Sequence, residues 1–216
     1  MLLLRFAASL IAVLVGCSTT PVSVTPATVL SIPEREARLA AFSPWRALGS
    51  ISVVSEREGN VNASFSWDSN DQGFSIRLFG PLGIQVVQLS QDSNGALLKD
   101  RGGEVAGESA EQLLFAALGV QVPLQQMQTW AVGLPGVAEQ VQRDEFGRLQ
   151  SIVVAKDPTM PWNVLFQRYS NIDDLDLPRS VVVDGEGITI MLTFNKWIRS
   201  ESSPNDGRLT IPGVST

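Results

Sequence analysis

Alternation of apolar and polar residues limits the fold of this chain more than any other feature of its sequence. Between Val61 and Trp67 every odd position is apolar and every even position is Asn or Ser. Successive side chains of a β-strand point to opposite faces, so this pattern predicts strands with one buried face. Further strands are predicted at residues 74–78, 84–89, 151–154, 162–169, 179–183 and 188–197. Turn segments rich in Gly, Asn and Asp separate them, which predicts an antiparallel meander that curls into a barrel or half-barrel.

Three short helices are predicted beside these strands. A capping sequence at residues 31–34 begins the first helix, which is expected to end near Phe42. The second runs from Ser109 to its glycine stop at Gly119, and the third covers residues 123–132. The last two are short and largely apolar, so they cannot be stable alone. We expect them to lie on the concave side of the sheet.

The N-terminal segment has the layout of a secretory signal peptide. A basic residue is followed by the apolar run 6–15, then by Gly16 and Cys17, the only cysteine of the chain. This arrangement resembles a bacterial lipobox, so residues 1–16 are predicted to be removed and Cys17 to carry lipid. An uncleaved transmembrane helix is the alternative, but the run is shorter than the roughly 20 residues that span a bilayer. Residues 17–30 would then be the acylated N-terminus and its uncharged tether.

Composition narrows the function of the remaining chain. Hydrophobic residues make up 44% and charged residues 18%, so residues 31–199 are expected to form one domain with a core. The chain has no histidine, which removes the usual Ser-His-Asp and Cys-His nucleophiles and the commonest zinc ligand. We therefore expect no enzymatic activity, no metal and no cofactor. A net charge of −6 disfavours nucleic acid as a partner. Residues 200–216 form a tail of unknown role.

One face of the predicted sheet is strongly apolar, and Trp130 of the third helix would add to it. Two interpretations remain open: the face is ordinary core, or it leaves an unfilled apolar cavity. Alternation alone does not separate them. The candidate lining residues are Phe65, Trp67, Phe74, Ile76, Leu78, Trp130, Trp162, Phe166, Ile190, Leu192 and Phe194.

The segment 79–84 joins two predicted strands and reads Phe-Gly-Pro-Leu-Gly-Ile. Pro81 suits the second position of a tight turn, and the glycines relax the backbone on either side. Leu82 would then project at the tip of the turn, where polar residues are usual. A single exposed leucine is common, but in a membrane-tethered protein Pro81, Leu82 and Gly83 become a candidate membrane-insertion loop.

Two other segments are interpreted as structural. In the acidic run 173–176 only Asp174 and Asp176 alternate, and the later glutamate of a calcium loop is missing, so the run is expected to be a solvated loop. The glycine-rich segment 102–107 lacks the lysine of a phosphate-binding loop, so it is expected to be a hairpin turn.

With these features in place, the chain resembles the LolB family of outer-membrane lipoproteins from about Trp45 to Trp197. The order and spacing of several segments carry the resemblance together. It implies a mostly β (α+β) fold: an unclosed antiparallel β-barrel, with short helices as a lid over a hydrophobic cavity. The matching segments are Ala63–Trp67, Gly80–Gly83, Gln128–Gly136, Trp162–Phe166 and Asn195–Ile198.

The resemblance also implies a function. A member of this family is a monomer, lipid-anchored in the outer membrane of a Gram-negative bacterium and facing the periplasm. It accepts triacylated lipoproteins from the carrier LolA and inserts them into that membrane. The family's exposed loop leucine falls on Leu82, and Ser18 after Cys17 resembles the outer-membrane sorting signal. Two alternatives stay open: a scaffolding envelope lipoprotein with a filled core, and a histidine-free hydrolase that uses carboxylates.

Overall fold

The computed structural model describes residues 28–55, 59–119, 121–155 and 161–199. The predicted signal peptide, Cys17, most of the tether and the tail 200–216 lie outside the described residues. The described helices are α1 (Ile32–Ala40), α2 (Ala110–Leu118) and α3 (Leu124–Ala131). The described strands are β1 (Trp45–Ser55), β2 (Gly59–Asn70), β3 (Gly73–Phe79), β4 (Gln85–Asp92), β5 (Gly95–Asp100), β6 (Gly103–Gly107), β7 (Gln140–Arg143), β8 (Leu149–Val154), β9 (Trp162–Ile172), β10 (Leu175–Gly185) and β11 (Ile188–Arg199).

These strands form one antiparallel sheet in the order β6-β5-β4-β3-β2-β1-β11-β10-β9-β8-β7. Strands β1 and β11 meet at its centre, and every other pair of neighbours is consecutive in the chain. The edge strands β6 and β7 do not pair with each other, so the barrel is unclosed. The chain crosses from β6 to β7 through α2 and α3. The predicted mostly β fold with an unclosed antiparallel barrel is confirmed.

Gly49 lets the sheet bring aromatic rings together on its inner face. It lies opposite Phe65 on β2 and Phe194 on β11. The two rings meet edge to face, with centroids 5.7 Å apart. A β-carbon on Gly49 would stand 2.7 Å from the Phe65 ring and 2.0 Å from the Thr193 carbonyl oxygen. Only glycine therefore fits between the two flanking strands.

An aromatic cluster fills one end of the inner face. The rings of Trp45 and Trp67 meet at 5.5 Å, and those of Trp45 and Trp197 at 5.2 Å, all between ring centroids. Trp197 also stacks on Phe194 at 4.7 Å and touches Phe42, which follows α1. Since α1 packs against this end of the sheet, we call it the α1 end. The opposite end, where β3 passes into β4, is called the Leu82 end.

A buried ionic cluster fixes α1 to the α1 end. Arg35 is 4% exposed, and its Nη2 donates to the Asp176 carbonyl oxygen at 2.5 Å. Arg148 Nη1 lies 3.6 Å from Asp176 Oδ2, and Arg148 Nε donates to Asp144 Oδ2 at 2.7 Å. The Arg148 guanidinium also covers the Tyr169 ring, 4.9 Å from its centroid. Burial lowers the pKa of Arg35 and raises the pKa of Tyr169.

The predictions for the acidic run 173–176 and for the glycine-rich segment 102–107 are wrong in part. Asp173 and Asp174 do form a turn, with φ of 48° and 62°, but Asp176 belongs to β10 and is 3% exposed. The expected solvated loop fails there because arginines from distant parts of the chain balance that carboxylate. The segment 102–107 is likewise no simple hairpin turn, since β6 (Gly103–Gly107) pairs with β5 as an edge strand.

Candidate functional site

The loop between β3 and β4 holds a leucine in solvent. The Gly80 N–H donates to the Ile84 carbonyl oxygen at 2.9 Å, and the Gly83 N–H donates to the Gly80 carbonyl oxygen at 3.2 Å. Leu82 sits at the tip in the left-handed conformation, with φ 65° and ψ 14°. Its side chain is 97% exposed. A left-handed leucine costs about 1–2 kcal/mol, so this loop presents an apolar group to its surroundings against the local conformational preference.

The predicted lining residues share one buried region. Each of the nine most buried is at most 7% exposed, and Ile76 and Leu78 are half-buried. Because the side chains pack on one another under α3 and beside α1, this conformation is closed. Their role in holding acyl chains stays a prediction. The nine are Phe65, Trp67, Phe74, Trp130, Trp162, Phe166, Ile190, Leu192 and Phe194.

On strands β1 to β4, burial of the inner face decreases toward the Leu82 end, whereas Trp162, Val183 and Ile188 of β9 to β11 stay buried at that end. Val61 lies opposite Val53, and Leu78 lies opposite Val87 in the strand register. Val61 is 50% exposed, and the other three are half-buried, as is Ile51. We call these five residues the mouth residues. They place accessible apolar surface on the inner face, next to the base of the Leu82 loop.

Two cavities border the sheet. One of about 380 Å³ lies beside residues 79–81, and hydroxyl groups such as those of Ser50, Ser64 and Thr193 line it. The other, of about 550 Å³, lies near the turns of the α1 end and is lined mainly by polar side chains. Of the eleven predicted lining residues, only Phe74 borders either cavity. Both linings mix polar and apolar side chains, so neither of these two is the wholly apolar cavity predicted for acyl chains.

Hydrogen bonds join the lid helices to the sheet. The Ala110 N–H at the start of α2 donates to Gln91 Oε1 of β4 at 2.8 Å. The Ser69 hydroxyl of β2 donates to Gln128 Oε1 of α3 at 3.0 Å. The apolar undersides of the helices face the core, and their buried members are Ala110, Leu113, Leu124, Met127, Trp130 and Ala131. Both buried apolar side chains and hydrogen bonds to the sheet therefore hold the lid helices in place.

The described carboxylates do not form a catalytic arrangement that we can assign. Asp176 is the buried carboxylate among the described residues; it and the half-buried Asp144 both lie against the Arg148 side chain. Within residues 28–55, 59–119, 121–155 and 161–199, no group of three or more His, Cys, Asp and Glu side chains could hold a metal ion. In the same ranges, no helix is long and apolar enough to cross a membrane. The absence of enzymatic activity stays a prediction.

An open antiparallel sheet with an apolar inner face, helices across its gap and a protruding apolar loop defines a half-barrel protein. Residues 43–197 match the family model described as outer membrane lipoprotein LolB, and the chain belongs to this LolB family.

Relatives named outer-membrane lipoprotein LolB cover most of the chain. That of Halorhodospira halophila is 29% identical over 212 residues, or 91% of this chain and 96% of the relative. That of Francisella tularensis subsp. tularensis is 25% identical over 198 residues, or 90% and 93%. A solved LolA superfamily protein from Nitrosomonas europaea aligns with a TM-score of 0.45 at 9% identity, over 81% of this chain and 94% of that one.

The ionic cluster around Asp176 is one feature of the molecule that the sequence did not predict. Arg35 and Asp176 are 141 residues apart, and no local pattern marks either as buried. The strand β7 was also missed, because its four residues contain one apolar side chain. The loop, by contrast, was placed correctly from its Gly-Pro-Leu-Gly sequence.

Proposed function

We propose that this chain is a lipid-anchored outer-membrane protein that accepts lipoproteins from the periplasmic carrier LolA and inserts them into that membrane. The observation that carries the proposal is the position of Leu82. Its side chain is 97% exposed on a strained tip, beside the mouth residues of the apolar inner face. Membership of the LolB family, whose relatives are named outer-membrane lipoproteins, supports the same function.

The physical task explains why an apolar interior is needed. Three acyl chains with about 45 methylenes correspond to roughly 35 kcal/mol of transfer free energy, at about 0.8 kcal/mol each. A solvated intermediate is therefore inaccessible. Transfer from one apolar interior to another, and then to a bilayer, keeps the free energy of the acyl chains nearly constant. Such a transfer therefore needs no energy from nucleotide hydrolysis.

Loading requires the closed interior to open. The core side chains occupy the space beneath the lid, so we propose that α2 and α3 move away from the sheet when cargo enters. The bonds Ala110–Gln91 and Ser69–Gln128 would break in that step. Acyl chains would enter through the mouth residues, because this is where the inner face is already accessible.

Leu82→Glu tests the insertion role. The variant should accept a fluorescent triacylated lipopeptide as well as the wild type does, but should leave it uninserted in vesicles. Val29→Glu is a matched control, since Val29 is an exposed valine beside α1, at the other end of the sheet. Normal insertion by Leu82→Glu, or an equal loss in Val29→Glu, would contradict the proposed role.

A scaffolding lipoprotein with a filled core is the second candidate, and the dense packing around Trp67, Trp130 and Phe194 favours it. The two functions differ in ligand binding. A carrier binds a fluorescent fatty acid and releases it to vesicles, whereas a scaffold with a permanently filled core binds none. Absence of binding over a range of temperatures would decide for the scaffold.

A further inference from the structure

Three basic side chains gather on the outer face of β9, β10 and β11. Thr193 stands between two buried inner-face residues, so it points outward, and it lies opposite Ser180, which lies opposite Arg168. Partners in register share a face of the sheet, so Arg168 also points outward. Lys196 precedes a buried inner-face tryptophan and is exposed, and Arg179 is exposed in the bulge before Ser180. We call Arg168, Arg179 and Lys196 the basic patch.

Carboxylates do not balance the charge of the basic patch. Within the part of the chain that the structure describes, none of its three side chains forms an ion pair. The acidic residues of β9 to β11 are Asp176 and Asp184. Asp176 is buried at the α1 end, and Asp184 accepts a hydrogen bond from the Thr189 hydroxyl nearer the Leu82 end. Since the whole chain has a net charge of −6, the charge of this face is opposite to that of the molecule.

An apolar row borders the basic patch on the same outer face. Leu165 lies opposite Val182, and Val182 lies opposite Met191 in the strand register. Leu165 is 47% exposed, Met191 is 41% exposed and Val182 is half-buried. Leu165 is three residues from Arg168 along β9, and Val182 is three residues from Arg179 along β10. Basic side chains beside exposed apolar ones bind anionic bilayers through charge and apolar burial together.

The size of this surface favours a bilayer over an acidic protein as its partner. A stable protein interface buries about 800 Å² on each partner, far more than three partly exposed apolar side chains offer. Each basic residue strengthens binding to an anionic membrane roughly fivefold, so three strengthen it about 100-fold. Such a gain is modest for a free protein, but it is sufficient for a domain that a lipid anchor already holds at a membrane.

We propose that the basic patch and the apolar row hold the outer face of β9 to β11 on anionic phospholipid headgroups between rounds of cargo transfer. The inner face with its mouth residues then faces away from the bilayer, toward the periplasm from which cargo arrives. Three exposed cations make a contact weak enough to release when the domain turns its Leu82 loop to the membrane. This inference rests on the proposed function, because the proposed lipid anchor brings the domain to the bilayer.

Two fluorophore positions test this orientation in proteoliposomes of the lipidated full chain. Asn163→Cys labels the exposed outer face, and Val61→Cys labels the mouth. Since Cys17 is the only native cysteine, its acylation leaves one free thiol in each variant. The bilayers contain phosphatidylcholine, about 30% phosphatidylglycerol and a lipid with a quencher on its headgroup. We expect the outer probe to be quenched at least fivefold more than the mouth probe. This difference should vanish between about 0.1 M and 1 M salt, where the Debye length falls from about 10 Å to 3 Å.

Replacement of the basic patch tests the residues themselves. The triple variant Arg168→Gln/Arg179→Gln/Lys196→Gln should lower quenching of the outer probe at least tenfold, to its level on pure phosphatidylcholine. A matched control makes the same change in net charge at three exposed positions outside the patch and should keep the quenching. It carries Arg38→Gln, Lys99→Gln and Arg101→Gln.

The outcomes separate this proposal from the proposed function. Equal quenching of the outer probe on neutral and anionic bilayers, or an equal loss in the control variant, would overturn the role of the basic patch. An outer probe that stays unquenched on anionic bilayers would overturn the bilayer as partner and leave an acidic protein as the occupant of this face. Cargo insertion is measured separately with Leu82→Glu, so its failure would overturn the proposed function while the headgroup contact is still measured.

Discussion

Replacement of Leu82 by glycine should change folding and membrane contact in opposite directions. The leucine holds a left-handed conformation with φ 65°, which costs about 1–2 kcal/mol and which glycine adopts freely. The glycine variant also has a more flexible unfolded chain, which lowers its free energy of unfolding by about 0.5–1 kcal/mol. Since Leu82 is 97% exposed, almost no packing is lost. The free energy of unfolding should therefore rise by about 0.5–1 kcal/mol.

Membrane contact should weaken in the same variant. Burial of a leucine side chain in an apolar medium contributes about 2 kcal/mol, which is roughly 30-fold in a partition coefficient. The assays are urea unfolding and vesicle flotation, the latter with Cys17→Ser so that the proposed lipid anchor does not dominate membrane binding. Val29→Gly is the matched control, because it removes a 70% exposed valine at the α1 end. Unchanged flotation for Leu82→Gly, or a fall in both measured quantities, would refute the reasoning.

Three further predictions concern the scaffold that positions the loop. Gly49→Ala should lower the free energy of unfolding by about 1–3 kcal/mol, because its methyl group meets the Phe65 ring; denaturant unfolding with the wild-type midpoint would contradict this. Asp176→Asn should cost about 3–5 kcal/mol, because it removes the buried carboxylate that lies 4.0 Å from Arg35 and 3.6 Å from Arg148. The exposed pair variant Glu104→Gln should cost under about 1 kcal/mol in the same measurement. Tyr169, the only tyrosine, has a raised pKa because it is buried. The free energy of unfolding should be unaffected below about pH 10, the pKa of tyrosine in the unfolded chain, and should fall above that pH. Tyrosinate absorbance should therefore appear together with unfolding. Tyrosinate absorbance near pH 10 in the folded protein would contradict the burial of Tyr169.

The sheet and the loop could be predicted from the sequence because both are encoded locally. Alternation over residues 61–67 gives the inner face of β2 directly, and turn chemistry places Leu82 at a tip. In residues 84–89 the alternation of apolar and polar side chains shifts by one position after Val86, which indicates a bulge, and the register does shift where Phe79 pairs with Gln85. Alternation and turn chemistry depend only on residues that are neighbours in the chain, so they can be recognised in a single sequence.

The ionic cluster and the closed interior could not be predicted in this way. The burial of Asp176 depends on Arg35 and Arg148, which reach it from α1 and from the turn before β8. Whether Trp67 and Trp130 fill the interior or border a cavity depends on how closely α3 approaches the sheet. Period-two alternation gives the side of a strand that is apolar but carries no information on that distance.

The pairing of β1 with β11 at the centre of the sheet has a consequence for biogenesis. The first and last strands are partners, for example at Ile51 and Leu192, so the two halves of the meander join only when the whole domain is available. Contacts of such long sequence separation make folding slow. Until β11 is in place, the two half-sheets keep uncovered seams, and this state is the one most exposed to aggregation.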